Sequence, residues 1–228
     1  MPKPLRDGYK DKLFGRTSQL VTNPPFHHSI NKTLLSLTLY LLPLIMNYLE
    51  SVNRQFQYYE SLGRKTMDQL KDEDLTREPV PLVNSISIIV KHLHGNMLSR
   101  WTDFLNTDGE KDFRDRDGEF EESLRTREEI MVKWEEGWKV LFDALDGLEE
   151  SHLSQIVHIR NQGHTVVEAI NRQLCHYAYH VGQIVYLGKI FRGDDWESLS
   201  IPRNQSKAFN EEKFREDKGR RHFTEDFL

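Results

Sequence analysis

From Met46 onward the apolar residues recur at the spacing of a buried helix face. Leu49, Val52, Phe56, Tyr59, Leu62, Met67 and Leu70 share one stripe and predict a first helix over about 48–71. The polar, proline-bearing run "KDEDLTREPVPLVN" ends it. A second stripe through Ile86, Ile89, Val90, Leu93, Met97, Trp101, Phe104 and Leu105 predicts a helix over 84–105, with Asn84 or Ser85 as its N-cap. The third opens with "TREE", Thr126 to Glu129, in which the threonine oxygen and the glutamate each satisfy a free backbone N–H. Its stripe of Ile130, Trp134, Trp138, Leu141, Phe142, Leu145 and Leu148 runs over 126–149. A second capping box, "TVVE" at Thr165 to Glu168, starts the fourth helix over 165–191, and Gly193 supplies its stop. Four such helices predict an all-α, four-helix bundle.

The connections carry less pattern. "SQIVHIRNQGHTV", between the third and fourth helices, alternates around Asn161, Gln162 and Gly163, which suits either a short β-hairpin or a loop. "NTDGEKDFRDRDGEFEES", residues 106–123, is dense in charge, has two glycines and no period, and reads as a solvated loop able to rim a site.

The two ends stand apart from the bundle. Residues 1–33 hold Lys3, Arg6, Lys10, Lys12, Arg16 and Lys32 against Asp7 and Asp11, and show neither helical nor strand periodicity. The apolar run "LLSLTLYLLPLIM" that follows contains Pro43 and falls short of the ~20 residues that a membrane-spanning helix needs. No small-residue cleavage site follows it, so a signal peptide is a poor description. Residues 1–45 are therefore expected to be an extension outside the native fold, with Met46 as the natural start, 46–206 as the bundle, and 207–228 as a mobile polar tail. Trp196, Leu199 and Ile201 offer anchors for the segment before that tail.

Composition narrows the class. A chain of 228 residues with 37% hydrophobic and 29% charged residues is that of a soluble, single-domain globular protein. Cys175 is the only cysteine, so no internal disulfide forms and a cytoplasmic location is expected. The net charge of -5 comes without a basic stripe, which argues against a nucleic-acid partner, and no segment argues for a membrane.

The chemistry lies in "NRQLCHYAYHVGQIVYLGKI", residues 171–190. His176 and His180 stand about 40° apart on the helical wheel, at one edge of the stripe of Val166, Ile170, Leu174, Tyr177, Val181 and Ile184. Residues at i and i+4 place their Cβ atoms about 5–6 Å apart, close enough for two imidazoles to reach one metal ion. Such a pair alone is more often hydrogen-bonded or solvated than metal-binding. The second helix changes the balance, because "KHLHGN" brings His92 and His94 to either side of its stripe and one of the two can face the fourth helix. A zinc-peptidase signature is absent, since Tyr177 stands where H-E-x-x-H places its glutamate. Cys175 points about 150° from the stripe and is expected to fill a packing contact. His158 and His164 lie across the proposed turn from one another, and a structural or solvated role suits them best.

"HL" at His92 and Leu93 followed by "HYAYHVGQI" in the fourth helix resembles the DinB-like (YfiT-like) four-helix-bundle family. The likeness extends over about 46–206 and is fullest to a bacterial branch that carries a "RW..FL...GEK..R.RD.EF" run, here Arg100 to Phe120, and an "LSIP" segment, here Leu199 to Pro202. The resemblance implies a divalent metal, zinc or nickel foremost, held by His92, His176 and His180; His92 is preferred to His94 for its place before Leu93. Asn96, Gln173 and Gln183 are candidates to accept the outer imidazole N–H protons.

Three neutral imidazoles leave coordination positions open, as in a catalytic rather than a closed structural site. The resemblance further implies a metal-dependent transferase that uses a low-molecular-weight thiol such as bacillithiol on a small-molecule substrate, working as a homodimer. Polar groups of the 106–123 loop and Arg203 are expected to orient the thiol. The alternatives are a metal-dependent hydrolase and a non-enzymatic metal-binding stress-response module.

Overall fold

The structure is a computed structural model that describes the backbone from residue 32 and side chains over 48–228. Residues 1–31 of the expected extension over 1–45 lie outside the residues so described, while 32–45 share one helix with Met46, the expected start. The chain divides between Leu39 and Tyr40 into two units, and the second contains everything that surrounds the histidines. In chain order the helices are α1 (Lys32–Asp68), α2 (Asp72–Thr76), α3 (Ile86–Trp101), α4 (Arg127–Asp146), α5 (Val166–Arg192) and α6 (Ser206–Lys213). One antiparallel pair, β1 (Ile156–Ile159) and β2 (Gln162–Thr165), stands between α4 and α5. The chain is thus mostly helical, in line with the all-α expectation, and the short hairpin forms.

The caps fall where the sequence places them. The Ser85 oxygen accepts from the Ile88 N–H, and the boxes at Thr126–Glu129 and Thr165–Glu168 are both closed. Helix α3 stops at Trp101, short of the predicted 105, because Asp103 takes a left-handed conformation (φ 48°) that turns the chain out of the helix. The hairpin reverses through Arg160 and Asn161, with φ of 55° and 60°, one step earlier than the sequence suggests. Positive φ at both central residues marks a type I′ turn, whose twist suits two short strands. Asp108 accepts from the backbone N–H groups of both turn residues at 2.8 Å, which ties the hairpin to the charged loop.

Each long helix contributes one aromatic ring to the centre. Phe56 of α1 lies 6.2 Å from Trp101 of α3, 6.4 Å from Trp138 of α4 and 5.9 Å from Tyr177 of α5. All four are buried, and Ile89, Leu93, Ile130, Leu141, Ile170 and Ile184 continue the core around them. Burial of this kind contributes roughly 1.5–3 kcal/mol per large side chain. Trp134 packs so closely on α1 that a methyl at Gly63 would overlap its ring.

Two connections differ from their sequence reading. The 106–123 loop is not merely solvated: its Glu119 is buried and the Arg114 side chain is 2% exposed, because the two neutralise each other against α3. The expected mobile tail carries α6 and then lies along α1. Phe223 and Phe227 place their rings 5.6 and 6.0 Å from that of Tyr58, Glu225 pairs with Arg54 at 3.1 Å, and Thr224 is fully buried. The aromatic residues of this otherwise polar segment find a partner in α1 that local pattern does not reveal.

Candidate metal centre

Tyr177 fixes the rotation of α5 and with it the two histidines. Its ring is buried at the aromatic centre, its hydroxyl donates to Asn96 Oδ1 at 3.0 Å, and it accepts from Trp101 Nε1 at 2.9 Å. Both of those partners belong to α3, so the hydroxyl locks α5 onto the helix that carries His92. Burial pushes the Tyr177 pKa up, which keeps the hydroxyl protonated and able to donate.

With the helices so held, His92, His176 and His180 converge. One ring nitrogen from each lies within 4.8 Å of the others, the sole cluster of three or more His, Cys, Asp or Glu ligand atoms among the described residues. The Nε2 atoms of His92 and His176 are 3.3 Å apart, and those of His180 and His176 are 3.1 Å apart. The outer nitrogens of two of the rings are engaged elsewhere: His92 Nδ1 lies 2.9 Å from Glu119 Oε2, and His180 Nδ1 lies 2.8 Å from Gln183 Oε1. A carboxylate or amide oxygen can only accept there, so both rings carry their proton on Nδ1 and turn an Nε2 lone pair inward. Phe120 stacks on the His92 ring at 5.0 Å and holds its plane.

The electrostatics keep His176 and His180 neutral. Burial, the neighbouring His180 and His92, and the Arg100 and Arg114 charges push the His176 pKa down to about 3. Burial also lowers that of His180. Neutral imidazole is the ligating form. Burial by itself would raise the Glu119 pKa, but hydrogen bonds from His92 and Arg114 outweigh it and hold the carboxyl below the usual range. Arg114 grips that carboxylate with both arms, Nε to Oε1 at 2.8 Å and Nη2 to Oε2 at 3.0 Å. Arg100 in turn pairs with Glu110 at 3.2 Å, so the "RW..FL...GEK..R.RD.EF" run is a chain of alternating charges wrapped onto α3.

The remaining sequence candidates separate clearly. His94 turns away toward α4, with Nε2 3.1 Å from Glu136 Oε2. Of the three proposed acceptors only Gln183 holds a histidine; Asn96 serves Tyr177, and the buried Gln173 Oε1 has no partner. Cys175 is exposed rather than a packing filler. Arg203 is exposed and lies outside the cavity that meets the histidines. His158 and His164 sit on paired strands but opposite Gly163 and Val157, not each other.

Glu119 and Arg114 escape a sequence reading because they sit in a segment without periodicity. The available signal is the strict alternation of sign in "RDRDGEF", which a merely solvated loop does not require. Gly95 is equally silent in sequence. A methyl there would fall on the Glu119 carboxylate, so the absence of a side chain on α3 is what lets that carboxylate reach His92.

A family model described as "Protein of unknown function (DUF1572)" matches residues 44–205. The chain belongs to the DUF1572 family. The DUF1572 match takes in both histidine-bearing helices, the charged loop and the hairpin, and stops before α6. No curated protein matches the chain.

Proposed function

We propose that this chain is a DinB-like (YfiT-like) four-helix bundle that holds a divalent metal ion on His92, His176 and His180 and acts as a metal-dependent S-transferase with a low-molecular-weight thiol of the bacillithiol kind. The observation that carries the metal is the convergence of three imidazoles whose Nε2 atoms stand 3.1 and 3.3 Å apart. Zinc–imidazole bonds of ~2.0–2.1 Å in a tetrahedral arrangement separate the nitrogens by roughly 3.3 Å. Zinc or nickel suits such a donor set.

When bound, the cation supplies Lewis acidity that favours the thiolate form of a small thiol near neutral pH. The chain's own groups do the rest. Glu119 and Gln183 orient the rings and increase their donor strength, Tyr177 sets their height, and Phe120 covers one ring face. The cavity of about 410 Å³ beside the histidines gives room for a small substrate, which favours an open catalytic site over a closed structural one. The homodimer implied by the resemblance belongs to the same proposal, and light scattering on the purified protein reads it directly. Among the described residues no helix is long and apolar enough to cross a membrane.

The test is metal analysis of untagged protein, followed by transfer of bacillithiol or cysteine to monochlorobimane. Near-stoichiometric metal, and transfer that vanishes on chelation and returns with zinc or nickel, is the expected result. Full metal without accelerated transfer overturns the transferase and leaves the hydrolase or the non-enzymatic module. Protein that binds no zinc or nickel overturns the centre itself.

A further inference from the structure

The cavity beside the histidines is lined by Arg100, Arg114, Arg116, Arg160 and Arg172, and by no aspartate or glutamate. Two of these, Arg100 and Arg114, form ion pairs with Glu110 and Glu119, neither of which lines the cavity. The other three come from different elements and meet at its rim. Arg116 belongs to the charged loop and lies over the Phe120 ring, 5.6 Å from its centre. Arg160 is the first turn residue of the hairpin and leans on Glu110 at 3.1 Å. Arg172 stands one turn before His176 on α5, 3.3 Å from His164. Neither Arg116 nor Arg172 makes an ion pair with a carboxylate among the described residues. In a chain whose net charge is -5, this opening is a local reversal of sign.

We propose that this rim is the recognition site for an oxyanion, a carboxylate or phosphate carried by the small molecule that reacts at the histidine cluster. Planar guanidinium groups bind either anion through paired, charge-assisted hydrogen bonds, and do so more strongly where low-dielectric walls exclude water. A ligand anchored at the rim has its far end over the Nε2 cluster, and the cavity of about 410 Å³ limits it to a small molecule. Two of the acidic residues of the 106–123 loop, Glu110 and Glu119, are engaged by the arginines and do not line the cavity.

The proposal builds on the same cavity as the transferase reading, but its test does not depend on catalysis. Succinate, inorganic phosphate and the neutral succinamide are titrated calorimetrically into the zinc-treated wild type and the Arg116→Gln/Arg172→Gln double variant, with zinc content measured on each. Saturable binding of succinate or phosphate but not succinamide, weakened about tenfold or more in the double variant at unchanged zinc content, is the expected outcome. Whichever of the two anions binds more tightly identifies the oxyanion. Binding of neither anion above succinamide, or equal binding by the double variant, overturns the proposal. Thermal unfolding checks that the variants fold; should the double variant not, the single Arg116→Gln and Arg172→Gln proteins carry the same comparison. A wild type that binds anions but no zinc overturns the metal centre and leaves the arginine site standing.

Discussion

Glu119 reaches across from the charged loop to hold His92 Nδ1 at 2.9 Å, and it does so over a point on α3 where Gly95 has no side chain. Substituting Gly95→Ala adds a methyl that helix propensity favours by about 1 kcal/mol but that collides with the carboxylate. The helix should survive while Glu119 is displaced. Loss of such an outer partner typically costs 10- to 100-fold in metal affinity. Competition against a fluorescent zinc chelator should show that loss in both Gly95→Ala and Glu119→Gln; wild-type affinity in both would mean the contact does not tune the site.

Replacing His92, His176 or His180 by alanine should lower zinc affinity further still, on the order of 100-fold or more, since a ligand goes rather than its support. His94→Ala is the control, because His94 bonds Glu136 outside the cluster. Equal metal content in His94→Ala and His92→Ala, measured by mass spectrometry, would contradict the assignment. All four proteins should fold, for the aromatic core is independent of the centre.

Trp134 is 2% exposed and its indole N–H donates to Glu60 at 3.0 Å. Trp134→Ala should cost about 3–5 kcal/mol in denaturant unfolding. Gly63→Ala, which forces a methyl against the same ring, should cost about 1–3 kcal/mol despite its better helix propensity. A neutral or stabilising effect of Gly63→Ala would show that α1 and α4 are less tightly apposed.

Metal-free protein should lose stability on acidification in a window set by His176. The unfolded imidazole takes a proton near pH 6.5, whereas burial and the neighbouring cations hold the folded group to about 3. Between those values the unfolded chain binds more protons, so stability is whole above about pH 6.5 and declines as the pH falls toward 3. His180 contributes in the same direction. Thermal melts from pH 7 to 4 in the presence of chelator should show a shallower decline for His176→Asn than for wild type; parallel curves would remove His176 as the cause.

Much of this was legible in the sequence because it depends on periodicity. The four stripes, the two capping boxes and the i, i+4 histidine pair follow from a 3.6-residue repeat, and Val52, Phe56, Trp134 and Tyr177 are buried as their spacing requires. Which of His92 and His94 faces α5 is open on the wheel, since both flank the stripe; that orientation is set by Tyr177, Trp101 and Asn96, which fix the rotation of α5 against α3. Glu119, Arg114 and the arginine rim were hidden because contacts between an aperiodic loop and a helix leave no repeat. The tail misled for a related reason. Four phenylalanines among many charges give too weak a local signal, and Tyr58, the partner of Phe223 and Phe227, lies more than 150 residues earlier in the chain.

That last contact bears on how the protein is made. Synthesis proceeds from the N-terminus, so Tyr58, Arg54 and Lys65 of α1 emerge uncovered, and their partners Phe223, Glu225 and Phe227 follow only after both histidine-bearing helices. The histidine-bearing helices can pack before then, since nothing at the cluster touches the final residues. The face of α1 around Tyr58 is covered only once residues 223–227 arrive, a step that leaves the centre already assembled.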